Sequence, residues 1–554
     1  SNGDLATAMR ASMAVPGVLA PVVIDGHTLV DGGLVGNVPV SVIESMNVDV
    51  IIAVDVEFPL YESTEVRSAL DITAQMLTIL IRKETLRQIS GLGEDDILVR
   101  PDLGNFGSTE FGNITQAIEP GAAAMQLHAA RLDELALDEA GYAAHLEARQ
   151  AALQPVETLD FVRVVDSGPL SSRMLEARLK TDPGESPDAA RLAADAARLH
   201  GLQVYEQVDY RVVTEGGQTG VEFHTRPKAW GPNFLQFGIA LEDDFQGETS
   251  FNLSSRLTRR GVNRLGGEWR TDLQIGTEPY LHSEFYQPLS FDSRYFIAPQ
   301  LRLGQTNFNA FSGPDSIARY RVSNTGVALD VGRELGLWGE FRFGAFRGAG
   351  SARVKVGDPA LPSVEFDTGG MFASFNVDTL DNAQIPLRGM RMHVDWTMSR
   401  PGFGAHDRFD LLETGVSGVW TSGRHTLNAG VKFNTSHEAE NLVQNYFPLG
   451  GFLNLSGLVR GEISGPHAGV ARLVYYRRSG EITPRVVEAP LYLGVSVEAG
   501  NAWQSRSEID AGSLLFNGSL FAGMDTFFGP LFVGAGWAEG GGSNFYLSFG
   551  QSPP

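Results

Sequence analysis

The chain has 554 residues, 43 of them Lys or Arg and 66 Asp or Glu, which gives a formal net charge of −23. This length exceeds what one hydrophobic core usually organises, so two to four domains are expected. The acidic balance argues against a nucleic-acid partner, because binding phosphates needs clustered Lys and Arg. The lack of cysteine excludes disulfides and thiolate metal sites. No run of ~18 apolar residues occurs, so no transmembrane helix is predicted.

The first part of the chain alternates short apolar segments with longer helical patterns. The predicted strands lie at 28–30, 50–56 and 96–100, and the predicted helices at 5–13, 68–90 and 117–149. The segment 50–56 is almost wholly apolar, as expected of a buried parallel strand. This alternation predicts an α/β domain over residues 1–154, with one side of a doubly wound sheet.

A break around Gln154-Pro155 precedes a compact pattern over residues 155–229. One strand at 161–164 is followed by helices at 171–179 and 189–199 and by a hairpin that turns at Glu215-Gly216-Gly217. The predicted order is β-α-α-β-β. It resembles the POTRA-like periplasmic modules that precede many outer-membrane barrels.

From residue 230 to 554 the sequence pattern changes: segments of about ten residues alternate apolar and polar positions. At ~20 residues per strand and loop, this length predicts a transmembrane antiparallel β-barrel of roughly sixteen strands. The alternative is a soluble β-sandwich or propeller. Aromatic residues at strand ends and the absence of a repeat of about 40 to 50 residues favour the membrane barrel.

A group of motifs between Met9 and Val40 carries the first specific signal. They are Arg10-Ala11-Ser12, Val15-Pro16-Gly17, Val30-Asp31-Gly32-Gly33 and Asn37-Val38-Pro39, with further matching segments at 97–111 and 117–121. The region resembles the second half of a patatin-like phospholipase domain. The resemblance implies a Ser-Asp dyad in which Asp31 is the base, no metal or organic cofactor, and a phospholipid substrate. Gly32 and Gly33 would let backbone approach the ester closely.

The family's nucleophile lies in a Gly-x-Ser-x-Gly elbow, and these 554 residues contain no such motif. Ser12 and Ser41 lack that context. The chain opens Ser1-Asn2-Gly3 without an initiator Met, so we expect a fragment whose nucleophile and oxyanion loop lie upstream, and which is inactive by itself.

Four acidic or histidine residues in or near this region also have a simpler interpretation. Asp31 could be an ordinary Asp-Gly turn residue, although its flanks favour the catalytic role. His27 is interpreted as structural rather than as a triad member. Asp55 and Glu57, after the apolar strand, are interpreted as carboxylates that solvate the strand end.

A second signal is Leu458-Val459-Arg460-Gly461-Glu462. It resembles the Val-Arg-Gly signature of the superfamily that includes two-partner secretion pores (surface antigens among them) and outer-membrane assembly barrels. The resemblance implies a loop folded back into the lumen. The wall segment that matches this superfamily is 497–503. Arg460 is predicted to point inward and to pair with Glu498 or a neighbouring carboxylate. The alternative is an exposed hairpin tip.

The order of hydrolase, module and barrel resembles a type Vd autotransporter. It implies a lipid acyl hydrolase that is anchored in, or exported by, its own outer-membrane barrel, with the hydrolase at the cell surface or released. Expected partners are phospholipid, the outer membrane and, during insertion, the outer-membrane assembly machinery. The alternative is a translocation or assembly barrel with a vestigial hydrolase segment; the single predicted module favours self-export. A plain anchor would leave the Asp31 motif unexplained.

Overall fold

A computed structural model describes residues 5–15, 19, 21–24, 26–56, 60, 69–104, 106, 111–152, 157–165, 168–245, 249–292, 294–312, 315–358, 360–438, 445–482, 489–526 and 529–550. The chain divides into two compact units, Ser1–Gln154 and Pro155–Pro554. In these ranges no helix combines the length and apolar character needed to cross a membrane.

The first unit is α/β, as predicted. Its helices are α1 (Leu5–Ser12), α2 (Gly33–Gly36), α3 (Val40–Glu44), α4 (Ala69–Ile89), α5 (Ile118–Gln126), α6 (Ala129–Leu135) and α7 (Glu139–Ala152). Its strands are β1 (Val22–Ile24), β2 (His27–Leu29), β3 (Ile52–Val54) and β4 (Ile97–Val99). β1 and β2 form an antiparallel hairpin, and β3 and β4 pair in parallel. The pairing of β3 with β4 brings two distant apolar segments into one sheet.

Only one face of β3 is buried within this unit. Ile51 and Ala53 belong to a small core with Val38 and Val40, whereas Ile52 and Val54 are nearly half exposed. A parallel strand is normally covered on both faces. The apolar run therefore has a second face that the described residues of the unit leave nearly half exposed.

The second unit begins with a small module of β-α-α-β-β order, as predicted from the sequence. Its elements are β5 (Phe161–Val165), α8 (Ser172–Glu176), α9 (Ala189–His200), β6 (Tyr205–Glu215) and β7 (Gln218–Pro227). β7 lies between β5, its parallel neighbour, and β6, its antiparallel neighbour. The core contains Leu175, Leu199, Tyr205 and Phe223, all fully buried. This core fixes both helices on one face of the three-stranded sheet.

Asp195 is the buried charge of this module. Its carboxylate accepts hydrogen bonds from the amides of Lys180 and Thr181 and from the Thr181 hydroxyl at 2.7–3.1 Å, and from the Arg198 guanidinium. Burial opposes ionisation, but these donors outweigh it and hold the pKa of Asp195 below its usual range. The ionised carboxylate therefore fixes the turn at 180–181 to α9.

We expect this contribution to be lost in acid. Because the folded pKa of Asp195 is lowered, its stabilisation is complete above the unfolded pKa of ~3.9 and disappears as the pH falls through the folded pKa. Asp195→Asn should destabilise the module by about 2 kcal/mol at neutral pH and reduce the loss of stability below pH ~4. The stability of the module is measured by hydrogen exchange of the 161–227 peptides at neutral pH and below pH ~4. The control is Asp182→Asn, which changes an exposed aspartate. Equal protection in both variants would contradict it.

The rest of the unit contains strands β8 to β25. They are β8 (Asn233–Asp243), β9 (Thr249–Arg259), β10 (Glu268–Gly276), β11 (Tyr280–Pro288), β12 (Tyr295–Ser312), β13 (Asp315–Glu334), β14 (Gly339–Val356), β15 (Val364–Asp378), β16 (Gly389–Ser399), β17 (Phe409–Ser422), β18 (His425–His437), β19 (Phe447–Leu449), β20 (Ile463–Gly465), β21 (His467–Ile482), β22 (Ala489–Trp503), β23 (Leu515–Thr526), β24 (Gly529–Ala538) and β25 (Ser543–Phe549).

In the described part of the chain, sixteen of these strands form a closed antiparallel barrel. Each pairs with its neighbours in sequence, β18 pairs with β21, and β25 closes the barrel on β8. β19 and β20 form a separate antiparallel hairpin. The prediction of an antiparallel barrel of roughly sixteen strands is confirmed.

The two faces of the barrel wall differ in polarity because successive side chains of a strand point to opposite faces. On β10, Trp269, Leu273 and Ile275 are exposed on the outside, and Arg270 and Asp272 alternate with them on the inside. An apolar exterior around a polar interior is what a barrel in a bilayer requires.

Charged side chains on the inner wall form a network centred on Arg342 of β14. Its guanidinium contacts Glu284 at 2.8 Å, Glu340 at 2.9 Å and Asp330 at 3.3 Å. It also lies 5.0 Å from the centre of the Phe296 ring. Asp330 accepts a further hydrogen bond from Gln300 at 2.7 Å. One arginine thus compensates several carboxylates that the wall has removed from water.

Candidate functional site

Asp31 lies between β2 and the short helix α2. Its amide donates to the Ala14 carbonyl at 2.9 Å, and its carboxylate accepts from the Gly33 amide at 2.7 Å. A side chain at Gly33 would place a Cβ 2.9 Å from that carboxylate, whereas no described atom lies within 4 Å of a Cβ built at Gly32. The motif therefore fixes the Asp31 carboxylate from one side and leaves space beside Gly32.

The other polar residues of this region are arranged as follows. Ser12 and Ser41 are exposed, and within the described ranges neither hydroxyl hydrogen-bonds to Asp31. His27 is exposed opposite Ile24 in the β1–β2 hairpin. Pro16 and Gly17 of the predicted motif, and Glu57, lie outside the described residues. No serine–carboxylate pair is thus formed in the described part of the unit.

The interpretation of Asp55 as a solvated strand-end carboxylate is wrong. Its side chain is only 3% exposed and accepts from the Arg100 guanidinium at 3.1 Å, and its amide donates to the Val99 carbonyl at 2.9 Å. Pairing of β3 with β4 brings Arg100 beside it. The sequence showed an acidic residue after an apolar strand but not the cation from the neighbouring strand.

Inside the barrel, residues 447–465 form a segment that we call the fold-back segment. Its two ends, β19 and β20, pair with each other, and its tip at 450–462 packs on the inner wall. Phe452 of the tip contacts the aromatic rings of Phe521, Phe532 and Tyr546 at centroid distances of 5.5–6.0 Å. The predicted return of this loop into the lumen is seen directly in these contacts.

Glu498 of β22 is the principal anchor of the tip. It is fully buried and accepts hydrogen bonds from the amides of Leu455 and Ser456 at 2.7 Å each and from the Ser456 hydroxyl at 2.6 Å. The Ser496 hydroxyl donates to the same carboxylate at 2.5 Å. Leu455 has φ +72°, a conformation that costs ~1–3 kcal/mol for a residue other than glycine. The carboxylate thus holds a strained backbone turn.

Neighbouring strands add further contacts to the tip. The Tyr546 hydroxyl donates to the carbonyls of Ser456 at 2.8 Å and Leu458 at 3.0 Å, and the Gly457 amide donates to Asn517 at 2.9 Å. A Cβ at Gly536 of β24 would collide with the Ser456 backbone. Of these anchors the sequence analysis found only Glu498. The Ser496-x-Glu498 spacing, which places two polar side chains on one strand face, was an available signal.

Arg460 contacts two carboxylates, neither of them Glu498. Its guanidinium, half exposed to the lumen, contacts Glu242 of β8 at 3.3 Å and Glu278 at 3.7 Å, whereas Glu498 binds loop backbone instead. The Val459 backbone amide donates a hydrogen bond to the Glu462 carboxylate at 2.8 Å. Gly461 has φ +74°, which turns the chain where other residues would be strained. The prediction offered Glu498 or another carboxylate near it; Arg460 does not contact Glu498, because the tip reaches β22 through 455–456.

Comparisons with known proteins found similarities for the N-terminal segment and for the barrel. Residues 1–43 match the family model for patatin-like phospholipase. An uncharacterized NTE family protein of Mycobacterium bovis is 40% identical over 82 residues, which is 15% of this chain and 22% of that protein. Patatin-like phospholipase domain-containing protein 7 of Mus musculus is 43% identical over 58 residues, 10% of this chain and 4% of that protein. The chain thus matches 22% or less of the length of these curated relatives.

The barrel is also similar in fold to a solved structure. BamA from Haemophilus ducreyi, in a crystal structure lacking POTRA domains 1–3, aligns with a TM-score of 0.54 at 13% identity, over 70% of this chain and 84% of that chain. At this identity the likeness is one of fold. The molecule therefore combines an N-terminal segment that is similar to patatin-like phospholipases with a sixteen-strand barrel that has the fold of BamA.

Proposed function

We propose that this chain is part of a phospholipid acyl hydrolase that uses a Ser-Asp dyad with Asp31 as the base. The observation that carries the proposal is the Asp31 motif. It lies inside the family match, and the Gly33 amide holds the carboxylate at 2.7 Å. A carboxylate in this position can accept the proton of a serine hydroxyl as its oxygen attacks the ester carbonyl. The ester C–O bond then breaks, the lysophospholipid leaves with the proton, and water hydrolyses the serine acyl-enzyme to release the fatty acid. These steps require no metal or organic cofactor.

The serine has no Gly-x-Ser-x-Gly position in these 554 residues, so we propose that another part of the natural protein supplies it and that this chain by itself is inactive. The partial exposure of Ile52 and Val54 supports a larger α/β domain, because such strands are normally covered on both sides.

We further propose that the barrel anchors the hydrolase in the outer membrane or exports it, as in a type Vd autotransporter. The apolar exterior and polar interior of the barrel support a membrane location. The β-α-α-β-β module before it supports a POTRA-like periplasmic role, and the hydrolase would then reach the cell surface or be released. Insertion would involve the outer-membrane assembly machinery.

The test is release of fatty acid from phospholipid vesicles by the product of the whole gene. Asp31→Asn should lower the rate at least about 100-fold, because the substitution removes the general base but preserves size. Asp49→Asn changes an exposed aspartate of the same unit and should leave the rate unchanged. Full activity of Asp31→Asn would refute the proposal.

A second candidate is a barrel that moves or assembles other proteins and carries a vestigial hydrolase segment. The fold-back segment inside the lumen favours it, because a loop that fills a barrel can also open it. Loss of an exported client on deletion of the gene, with no ester hydrolysis by the whole product, would support this candidate over the first.

A further inference from the structure

A cavity of about 410 Å³ lies inside the barrel between the fold-back segment and the turn at 379–388. We call it the inner cavity. Its floor is the inner face of β16, β17, β18 and β21, and its walls include Ile385 and Pro386 of the turn and Leu453 of the fold-back tip. This volume falls within the range of ~300–1,000 Å³ that is typical of small-molecule sites.

Strand register explains why the floor is hollow. In one row across four strands, Arg391 is opposite Ser417, Ser417 opposite Gly430, and Gly430 opposite Arg472. Two long cationic side chains thus flank two small residues.

The next row also has a small residue between two basic ones. His393 is opposite Gly415, and Gly415 is opposite Lys432. A Cβ at Gly415 would collide with the His393 ring. The His393 ring therefore lies over Gly415, and the hollow lies above Ser417 and Gly430 of the first row, with basic side chains at the sides.

The charges of the inner cavity are of one sign. Arg391, Lys432 and Arg472 line it with His393, and among the residues that the structure describes no carboxylate does so. This is notable because acidic residues outnumber basic ones in the chain, 66 to 43. The cavity is therefore complementary to an anion.

Lys432 is the cation that is available to a ligand. Arg391 contacts Asp378 at 2.9 Å, and Arg472 donates to the Leu453 carbonyl at 3.1 Å and is opposite Glu498. Within the described ranges, Lys432 forms no hydrogen bond or ion pair; Glu413, which acts on it electrostatically, does not line the cavity.

The walls are apolar, although a barrel lumen is usually polar. They include Val474, Tyr476, Phe521 and Phe532, which pack in one buried cluster with Ile385 and Leu453. The Tyr476 hydroxyl donates to the Pro386 carbonyl, so the turn forms part of the site. An apolar wall beside an available cation suits a molecule with an anionic head and one hydrocarbon chain.

We infer that the inner cavity binds an anionic single-chain lipid, either a free fatty acid or a lysophospholipid, with its head at Lys432 and its chain along Ile385, Leu453 and Val474. This inference goes beyond the proposed function and stands without it. The two agree in chemistry, because acyl hydrolysis of a phospholipid releases molecules of both kinds.

The test is photo-crosslinking of the full chain in a nonionic sugar detergent, using a 16-carbon fatty acid with a diazirine in its chain. Peptides that contain 380–386 and 470–476 should carry the label. Palmitate and lysophosphatidylglycerol compete in separate arms, and the stronger competitor identifies the head group. Hexadecanol, which has the chain without the charge, should compete poorly.

Two variants and one control make the test specific. Lys432→Gln should raise the palmitate concentration needed for competition roughly tenfold, as expected for the loss of one charge-assisted hydrogen bond. Ser417→Phe should abolish labelling by filling the hollow. Lys355→Gln, a charge loss on β14 away from the cavity, should change nothing, and heat-dependent migration on SDS gels checks that each barrel is folded.

Label confined to outward-facing residues such as Leu473 and Val497, unchanged by Lys432→Gln and Ser417→Phe, would overturn the inference. Equal competition by hexadecanol would overturn the charge recognition. Asp31→Asn should not affect labelling, so failure here and failure of the proposed function are distinguishable.

Discussion

The Glu498→Ala variant is expected to release the tip of the fold-back segment from the barrel wall. The packing of the tip on the wall should lose about 3–5 kcal/mol of stabilising free energy. The substitution leaves the amides of Leu455 and Ser456 and the Ser456 hydroxyl without their buried acceptor, whereas the Ser496 hydroxyl keeps Ser519 at 2.6 Å. Each unsatisfied donor costs about 1–3 kcal/mol. Arg472, opposite Glu498 in register, would also lose its opposing charge.

Backbone strain increases this effect. Leu453 has φ +57° and Leu455 φ +72°, and residues other than glycine keep such conformations only when their surroundings fix them. Once Glu498 is removed, the turn can relax away from the wall. The effect should therefore be local to the fold-back segment, with the closed strand ladder left intact.

Hydrogen exchange of peptides covering 450–462 measures this release. We expect faster exchange there in Glu498→Ala and unchanged exchange in β12 to β14. Glu498→Gln retains one acceptor oxygen and should give an intermediate rate. Val497→Ala, the exposed neighbour on the outer face, is the matched control. Exchange at 450–462 that equals that of the unsubstituted chain would show that the aromatic packing of Phe452 suffices.

Arg342→Ala is expected to destabilise the barrel itself by about 3–5 kcal/mol. Asp330 and Glu284, whose side chains are at most 7% exposed, would lose a cation at 3.3 and 2.8 Å. Arg342→Lys should recover only part of the loss, because an ammonium group lacks the planar fork that bridges several carboxylates. The free energy of unfolding is measured by urea titration in detergent, followed by heat-dependent gel migration.

The same strand provides the control for Arg342. Arg353 of β14 pairs with Glu365 at 2.9 Å, but the two side chains are 67% and 77% exposed. Exposed pairs contribute ~0–1 kcal/mol, so Arg353→Ala should hardly change the unfolding midpoint. If both variants unfolded at the same urea concentration, the inner network would not contribute to barrel stability.

Much of the fold could be predicted from the sequence. Alternation of polar and apolar residues from 230 onward indicated a barrel of roughly sixteen strands, and the order of elements between 161 and 227 was predicted correctly. These features depend on local periodicity, because the repeat of a strand or helix determines which positions in its sequence are apolar. The one-sided burial of β3 was not predictable, because it depends on which other elements cover that strand.

Among the site residues, contiguous motifs were found from the sequence, whereas contacts between distant residues were not. The Asp31 motif was found because its glycines and flanks are contiguous, and its catalytic role remains a prediction. The burial of Asp55 depended on Arg100, 45 residues away. Tyr546 and Asn517 were not found as anchors of the fold-back segment, since neither is near it in sequence.

The sequence by itself determined the α/β segment, the module and the alternating wall of the barrel, since each follows from spacing within a few residues. Only the tertiary structure decided which carboxylates meet which cations. Arg460 and Glu242 are 218 positions apart and become neighbours because the last strand closes on the first. That closure is a property of the whole ring of strands, and no local pattern encodes the pairs it brings together.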